Sequence, residues 1–86
     1  MWTVEISKTA LKDAVRIKAS PHAGKVRELL ALLAVNPYHT PPPYEKLEPP
    51  TADVYSRRIN RQHRFVYEVH SNEGIVRIIR MWTHYE

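Results

Sequence analysis

Cysteine is absent from this 86-residue chain, which removes disulfide staples, thiolate metal sites and a cysteine nucleophile together. The absence fits a reducing cytoplasm. Glycine is scarce: Gly24 and Gly74 are the only two, too few and too far apart for a loop that cradles phosphate with backbone N–H groups. No serine stands between glycines as in a nucleophile elbow. The five histidines, at 22, 39, 63, 70 and 84, form neither an HxH nor an HxxxH pair, so a zinc site is not expected. Long apolar runs are missing as well. The longest, Leu29 to Val35, is seven residues against the ~20 that span a bilayer. The opening Met1-Trp2-Thr3-Val4-Glu5 lacks the basic-then-apolar order of a signal peptide. These absences lead to the expectation of a cytoplasmic protein with no cofactor, no metal and no membrane association.

What is present suits one compact domain over residues 1–86. At roughly 100–200 residues per domain there is no room for a second core, and a chain this short buries only ~60–65% of its unfolded surface. Thirteen Lys and Arg against nine Asp and Glu give a net charge of +4. The placement of the charge says more than its size. Arg57, Arg58, Arg61 and Arg64 fall within eight residues that contain no acid. Such a basic stripe suits a polyanion, because arginine neutralises phosphate and releases its counterions. A solvated arginine-rich strand face would read the same way.

Periodicity divides the chain into elements. Trp2-Thr3-Val4-Glu5-Ile6 alternates as a strand does, with Trp2, Val4 and Ile6 toward a core. Ser7 or Thr9 then caps a helix over about 9–19 with Ala10, Leu11, Ala14 and Val15 on its apolar stripe. Ser20-Pro21 reads as the start of a second helix, over about 21–35, that carries Val26, Leu29, Leu30 and Leu33. Five of the seven prolines, at 37, 41, 42, 43 and 49, follow in a stiff extended connection, with Pro50 adjoining. From Val54 onward the period is two: strands at 54–60, 64–70 and 74–82, with Ser71-Asn72-Glu73-Gly74 as a hairpin turn. The expected fold is α+β in the order β-α-α-β-β-β, an antiparallel sheet with a helical hairpin packed on one face.

The residues able to carry chemistry lie mostly in the second half: Glu45, Arg58, His63, Arg64, His84 and Tyr85. Metal-free RNA cleavage would use such a set. A ribose 2′-OH must lose a proton as it attacks phosphorus, the phosphorane needs cationic donors, and the departing 5′-oxygen needs a proton. Carboxylate or imidazole, guanidinium and histidine can fill these roles in turn. The nucleophile is the 2′-OH itself, so DNA would be resistant.

The string Ser56-Arg57-Arg58-Ile59-Asn60-Arg61-Gln62-His63-Arg64-Phe65-Val66-Tyr67, together with His84-Tyr85 near the end, resembles the YoeB/Txe family of toxins, part of the RelE-like superfamily of toxin–antitoxin systems. The resemblance implies the RelE-like microbial RNase fold and ribosome-dependent cleavage of mRNA. It implies Glu45 as general base, Arg64 and Arg58 at the phosphate, His84 as general acid and Tyr85 orienting the nucleotide. Arg57 and Arg61 of the basic stripe join Arg58 as expected RNA contacts. Where relatives commonly carry a proline directly after the glutamate, Glu45 is followed by Lys46 and Glu48 by Pro49, so Glu48 stays open as the base. The implied partners are a YefM/Phd-type antitoxin, the ribosomal A-site with its mRNA, and operator DNA through the antitoxin complex only; a homodimer is a further option. Two other functions fit the same residues. One is a noncatalytic RNA- or ribosome-binding protein, and the other is a regulatory partner that acts in its antitoxin complex.

Overall fold

The computed structural model describes residues 2–47, 53–60 and 63–84, the last three of these through their backbone. Strand β1 (Thr3–Ile6) leads into helix α1 (Lys8–Lys18) and helix α2 (Ala23–Val35). A proline-rich loop then reaches the short strand β2 (Glu45–Lys46), followed by β3 (Val54–Arg58), β4 (His63–His70) and β5 (Ile75–His84). The five strands form one sheet in the order β1-β5-β4-β3-β2. The expected α+β architecture is present, with a two-residue β2 added within the proline-rich connection. The pairings among β2, β3, β4 and β5 are antiparallel, whereas β1 runs parallel to β5, Val4 opposite Val76 and Ile6 opposite Ile78. Alternation assigns faces to a strand but does not choose its edge. The meander leaves one side of β5 open, and β1 closes it.

One face of the sheet is apolar and meets the helices. Tyr55, Tyr67 and Ile78 lie in one cross-strand row, with Val69 and Val76 opposite each other in the next row on the same face. Ile17, Val26, Leu29 and Leu33 close over them, all nearly or fully buried. Losing a side chain such as Leu33, which is 0% exposed, would cost about 2–5 kcal/mol.

Helix α1 departs from the expected stripe. Leu11 and Val15 are 52% and 71% exposed, and Ala10, Asp13 and Ile17 point inward. The reason is polar. The Asp13 carboxylate accepts from Arg80 Nε at 2.8 Å, from Arg80 Nη2 at 3.2 Å and from the Met81 backbone N–H at 3.0 Å. Those bonds offset the cost of burying the charge, and the pair raises the pKa of Arg80. Ser7 is the helix cap: its Oγ accepts from the Ala10 N–H at 3.1 Å and donates to the Ile79 carbonyl at 3.0 Å. Ser20 does not cap α2 as expected. Its Oγ donates to the Ile17 carbonyl and accepts from the His22 N–H, which closes the turn after α1.

The loop between α2 and β2 is held by its own aromatics. Tyr38 and Tyr44 pack edge-on against Tyr55 at 5.6 and 5.5 Å between centroids, and Trp2 meets Tyr38 at 6.4 Å. Such pairs add about 0.5–1.5 kcal/mol each beyond area burial. The Thr40–Pro41 and Pro41–Pro42 peptide bonds are cis.

Burial first, then the neighbouring Tyr38, pushes the Tyr55 phenol from 10.0 up to about 12. Burial also raises Tyr67, with Arg57 pulling the other way. Unfolded, both phenols ionise near their ordinary value. The folded chain therefore keeps protons that the unfolded chain releases, and stability falls as pH rises from about 10 to about 12. Urea midpoints measured between about pH 8 and about pH 11.5 should be flat at first and then drop. Tyr55→Phe should flatten that alkaline limb, and a limb of unchanged slope would contradict the assignment.

Candidate active site

Strand geometry assigns the functional side chains to faces. Along β3 and into the turn, Tyr55, Arg57 and Ile59 point to the core side while Ser56, itself 1% exposed, and Arg58 point to the other. Glu45 of β2 stands opposite Ser56, and Arg64 of β4 stands opposite Arg58. Directly opposed residues share a face, so Glu45, Ser56, Arg58 and Arg64 share one. The Arg64 Nη1 donates to Glu45 Oε2 at 3.1 Å and to Ser56 Oγ at 3.3 Å. The four line an open cleft of about 410 Å³, where Lys25 and Asn60 are also found.

Three cations, Lys25, Arg58 and Arg64, thus line the cleft with one carboxylate. Arg58 and Arg64 face each other directly across the strands, an arrangement that destabilises a sheet unless an anion compensates it. Glu45 reaches Arg64, and no ion pair involves Arg58 among the described residues. The Glu45 side chain is 65% exposed and that of Arg64 only 15%. The pair therefore stabilises the fold by no more than about 1 kcal/mol while setting a solvent-facing carboxylate beside a held guanidinium. A second hollow, of about 340 Å³, is lined by Asp53, Glu68, His70 and Glu73; it would repel the anions that the first cleft attracts.

The remaining expected residues fall elsewhere. Arg57 is a correction. It is 0% exposed, on the core side of β3, and does not reach any surface that RNA could touch. Its Nε donates to Tyr67 Oη at 3.2 Å, its Nη2 to the Pro37 carbonyl at 2.9 Å and its Nη1 to the Pro42 carbonyl. The backbone of His84 pairs with His63, and that of Thr83 with Arg64. This brings the end of β5 to the same end of the sheet as the cleft. His63 and Arg64, as neighbours on a strand, point to different faces: Arg64 to Glu45, His63 to Asn60. The Asn60 Oδ1 accepts the His63 N–H at 2.8 Å and lies 3.2 Å from His63 Nδ1. The Asn60 amide nitrogen lies 3.1 Å from His22 Nε2. Arg61, Tyr85 and the alternative base Glu48 lie outside the described residues. Among the described residues no group of three or more histidine or acidic side chains could hold a metal, and no helix is long and apolar enough to cross a membrane. Ser56, Lys25 and Asn60 were not foreseen. For Ser56 the signal was available, since a serine one residue before Arg57 on a strand must face away from it.

A two-helix layer over a five-stranded sheet, with an arginine-lined cleft at one end, is a small α+β architecture, and comparison with known proteins says which family it belongs to. The family model of the ParE toxin of type II toxin–antitoxin systems matches residues 4–86, and the chain belongs to that family. Among solved structures, a YoeB/ParE toxin from Agrobacterium tumefaciens superposes with a TM-score of 0.84 at 24% identity, over 96% of this chain and 99% of that one. A YoeB dimer from Staphylococcus aureus gives 0.81 at 29% identity, over 98% of each chain. A heterotetrameric YoeB–YefM toxin–antitoxin complex from the same organism gives 0.77 at 30% identity, over 99% of each chain. Comparison with curated protein sequences gives no significant match.

The opposed arginines have a measurable consequence. At low ionic strength Arg58→Ser should be neutral or stabilising by about 0.5 kcal/mol, and the difference should shrink in about 0.5 M salt. Glu45→Gln should lower stability by less than about 1 kcal/mol. Chemical denaturation measures both. A marked loss of stability in Arg58→Ser would mean that this residue is a structural ion-pair partner and no anion site.

Proposed function

We propose that this toxin is a ribosome-dependent mRNA endoribonuclease working by metal-free acid–base chemistry in the Glu45–Arg64 cleft. The observation that carries the reading is the exposed Glu45 carboxylate, 3.1 Å from Arg64 and beside the opposed Arg58. Glu45 takes the proton of the ribose 2′-OH as that oxygen attacks phosphorus. Arg64 and Arg58 hold the phosphate and offset the charge gathering on its oxygens. The bond from phosphorus to the 5′-oxygen breaks, and His84 supplies the proton that oxygen needs. Because His84 pairs with His63 and it is Thr83 that stands opposite Arg64, this role requires the end of β5 to turn toward the cleft when RNA binds. Tyr85 orients the nucleotide. In this step a base and an acid balance the protons, and two guanidinium groups offset the charge.

The cleft is open, and that explains a need for the ribosome. An open site binds a flexible single strand without aligning it. An mRNA already held bent in the A-site arrives with its 2′-oxygen in line, which converts orientation into rate. The cytoplasm is where that substrate is found. The resting partner is an antitoxin of the YefM type, as in the similar staphylococcal complex, and an acidic segment of it would match the three cations of the cleft. Operator DNA is contacted through that complex alone, and a homodimer is the free form, as for the staphylococcal YoeB.

A programmed translation reaction with mapping of mRNA 3′ ends tests the reading. Wild-type protein should create new ends within translated codons and few in free RNA. Glu45→Ala and His84→Ala should each slow cleavage by about 10²–10⁴-fold, and Arg64→Ala by about 10²–10³-fold, with folding retained. His63→Ala, measured beside His84→Ala, identifies the acid. Loss with His63→Ala alone would transfer the role to His63. Translation arrest without new ends, weakened by Arg58→Ser in a salt-dependent way, would establish a binding protein in place of an enzyme.

A further inference from the structure

We propose that Arg57 is a positioning residue, whose buried guanidinium fixes the loop from Pro37 to Pro42 and thereby sets where Glu45 meets Arg64. The proposal rests on the reading of the cleft as an RNA-cleaving site and adds a residue that never touches RNA.

Ring packing of Tyr38 and Tyr44 on Tyr55 holds the loop at its two ends, but it does not fix the direction of the backbone carbonyls between them. The loop enters β2, a strand of two residues paired to β3 at Glu45–Ser56 and Lys46–Tyr55, and so short a ladder tolerates slippage. Arg57 grips the loop near both ends, through the Pro37 and Pro42 carbonyls. The Tyr67 hydroxyl accepts from Arg57 Nε and donates to the same Pro37 carbonyl at 3.0 Å. The guanidinium carbon also lies 5.1 Å from the ring centroid of Tyr44, the residue directly before Glu45. Contact therefore runs from the start of the loop to the doorstep of the carboxylate.

The chemistry of the clamp argues for placement over stability. No carboxylate meets Arg57 among the described residues, so its charge is spent on two carbonyls, one hydroxyl and a π face. Burying a guanidinium costs several kcal/mol, and apolar residues of similar volume often serve stability as well. They cannot aim at two carbonyls. Lysine cannot either, because one ammonium lacks the planar fork that reaches three separate acceptors. Displacing a reacting group by about 1 Å can cost on the order of 10²-fold in rate.

Arg57→Lys and the gentler Tyr67→Phe, compared with wild type, provide the test. Each protein is checked for folding by denaturation and then examined by NMR and by cleavage of translated mRNA. In Arg57→Lys the resonances of Tyr44, Glu45 and Lys46 should move or broaden while those of Val69, Val76 and Ile78 stay in place. Its kcat should fall by about 10–100-fold with KM within about twofold, and Tyr67→Phe should show the same pattern at about 3–10-fold. Wild-type resonances at Tyr44–Lys46 in folded Arg57→Lys would overturn the proposal; should that variant not fold, the same result in Tyr67→Phe would. An intact kcat in the folded variant, or a fall in kcat matched by the unfolded fraction alone, would also overturn it. If the wild-type protein cleaves no RNA, the reading of the cleft fails while the resonances still decide the part played by Arg57.

Discussion

Side chains on β3 alternate between the helix-covered core and the cleft face, where Ser56 is only 1% exposed and Arg58 is exposed, and the site depends on that alternation. Tyr55, Arg57 and Ile59 enter the core, and Ser56 and Arg58 face the cleft. Two adjacent arginines of one motif therefore have unrelated tasks. The first directs its donors at loop carbonyls inside the core; the second keeps its charge available at a surface. A shift of one residue in the pairing of β3 would exchange them. The aromatic packing of Tyr55 between Tyr38, Tyr44 and Tyr67 makes that exchange costly, since three ring contacts would be lost with it.

Much of this was legible in the chain, and the misses have physical causes. Helices, meander and hairpin turn follow from periods of 3.6 and two and from Gly74, which adopts a φ of +67° that suits glycine. The grouping of Glu45, Arg58 and Arg64 was anticipated, and the register brings those three together. The burial of Arg57 was readable from Tyr55-x-Arg57-x-Ile59, but arginine is so seldom buried that charge outweighed spacing. The inward turn of Asp13 was not readable, because its partners Arg80 and Met81 are 67 and 68 residues away. The parallel pairing of β1 with β5 was hidden for the same reason: no local pattern records which edge of a sheet is vacant.

Seen as energetics, the fold devotes two buried charges to holding two segments. Arg57 ties down the loop that leads to Glu45. Asp13, from the opposite layer, takes hold of β5 through the Arg80 side chain and the Met81 N–H, and the Ser7 hydroxyl holds the neighbouring Ile79 carbonyl. These grips fall at 79–81, immediately before the strand pairs Thr83 with Arg64 and His84 with His63. The β4–β5 ladder is irregular there, with register shifts between Arg64 and Val66 and between Val66 and Tyr67. An irregular ladder specifies position weakly, so an external anchor from α1 supplies what the hydrogen bonds between strands do not. Neither clamp is the cheapest way to stabilise 86 residues. Both act where a two-residue strand or a shifted ladder would leave the backbone poorly defined, and both stand one step behind a side chain of the proposed reaction. In this fold the desolvated charges define geometry, and in the proposed reaction the exposed Glu45 and Arg58 are the groups left to meet the phosphate.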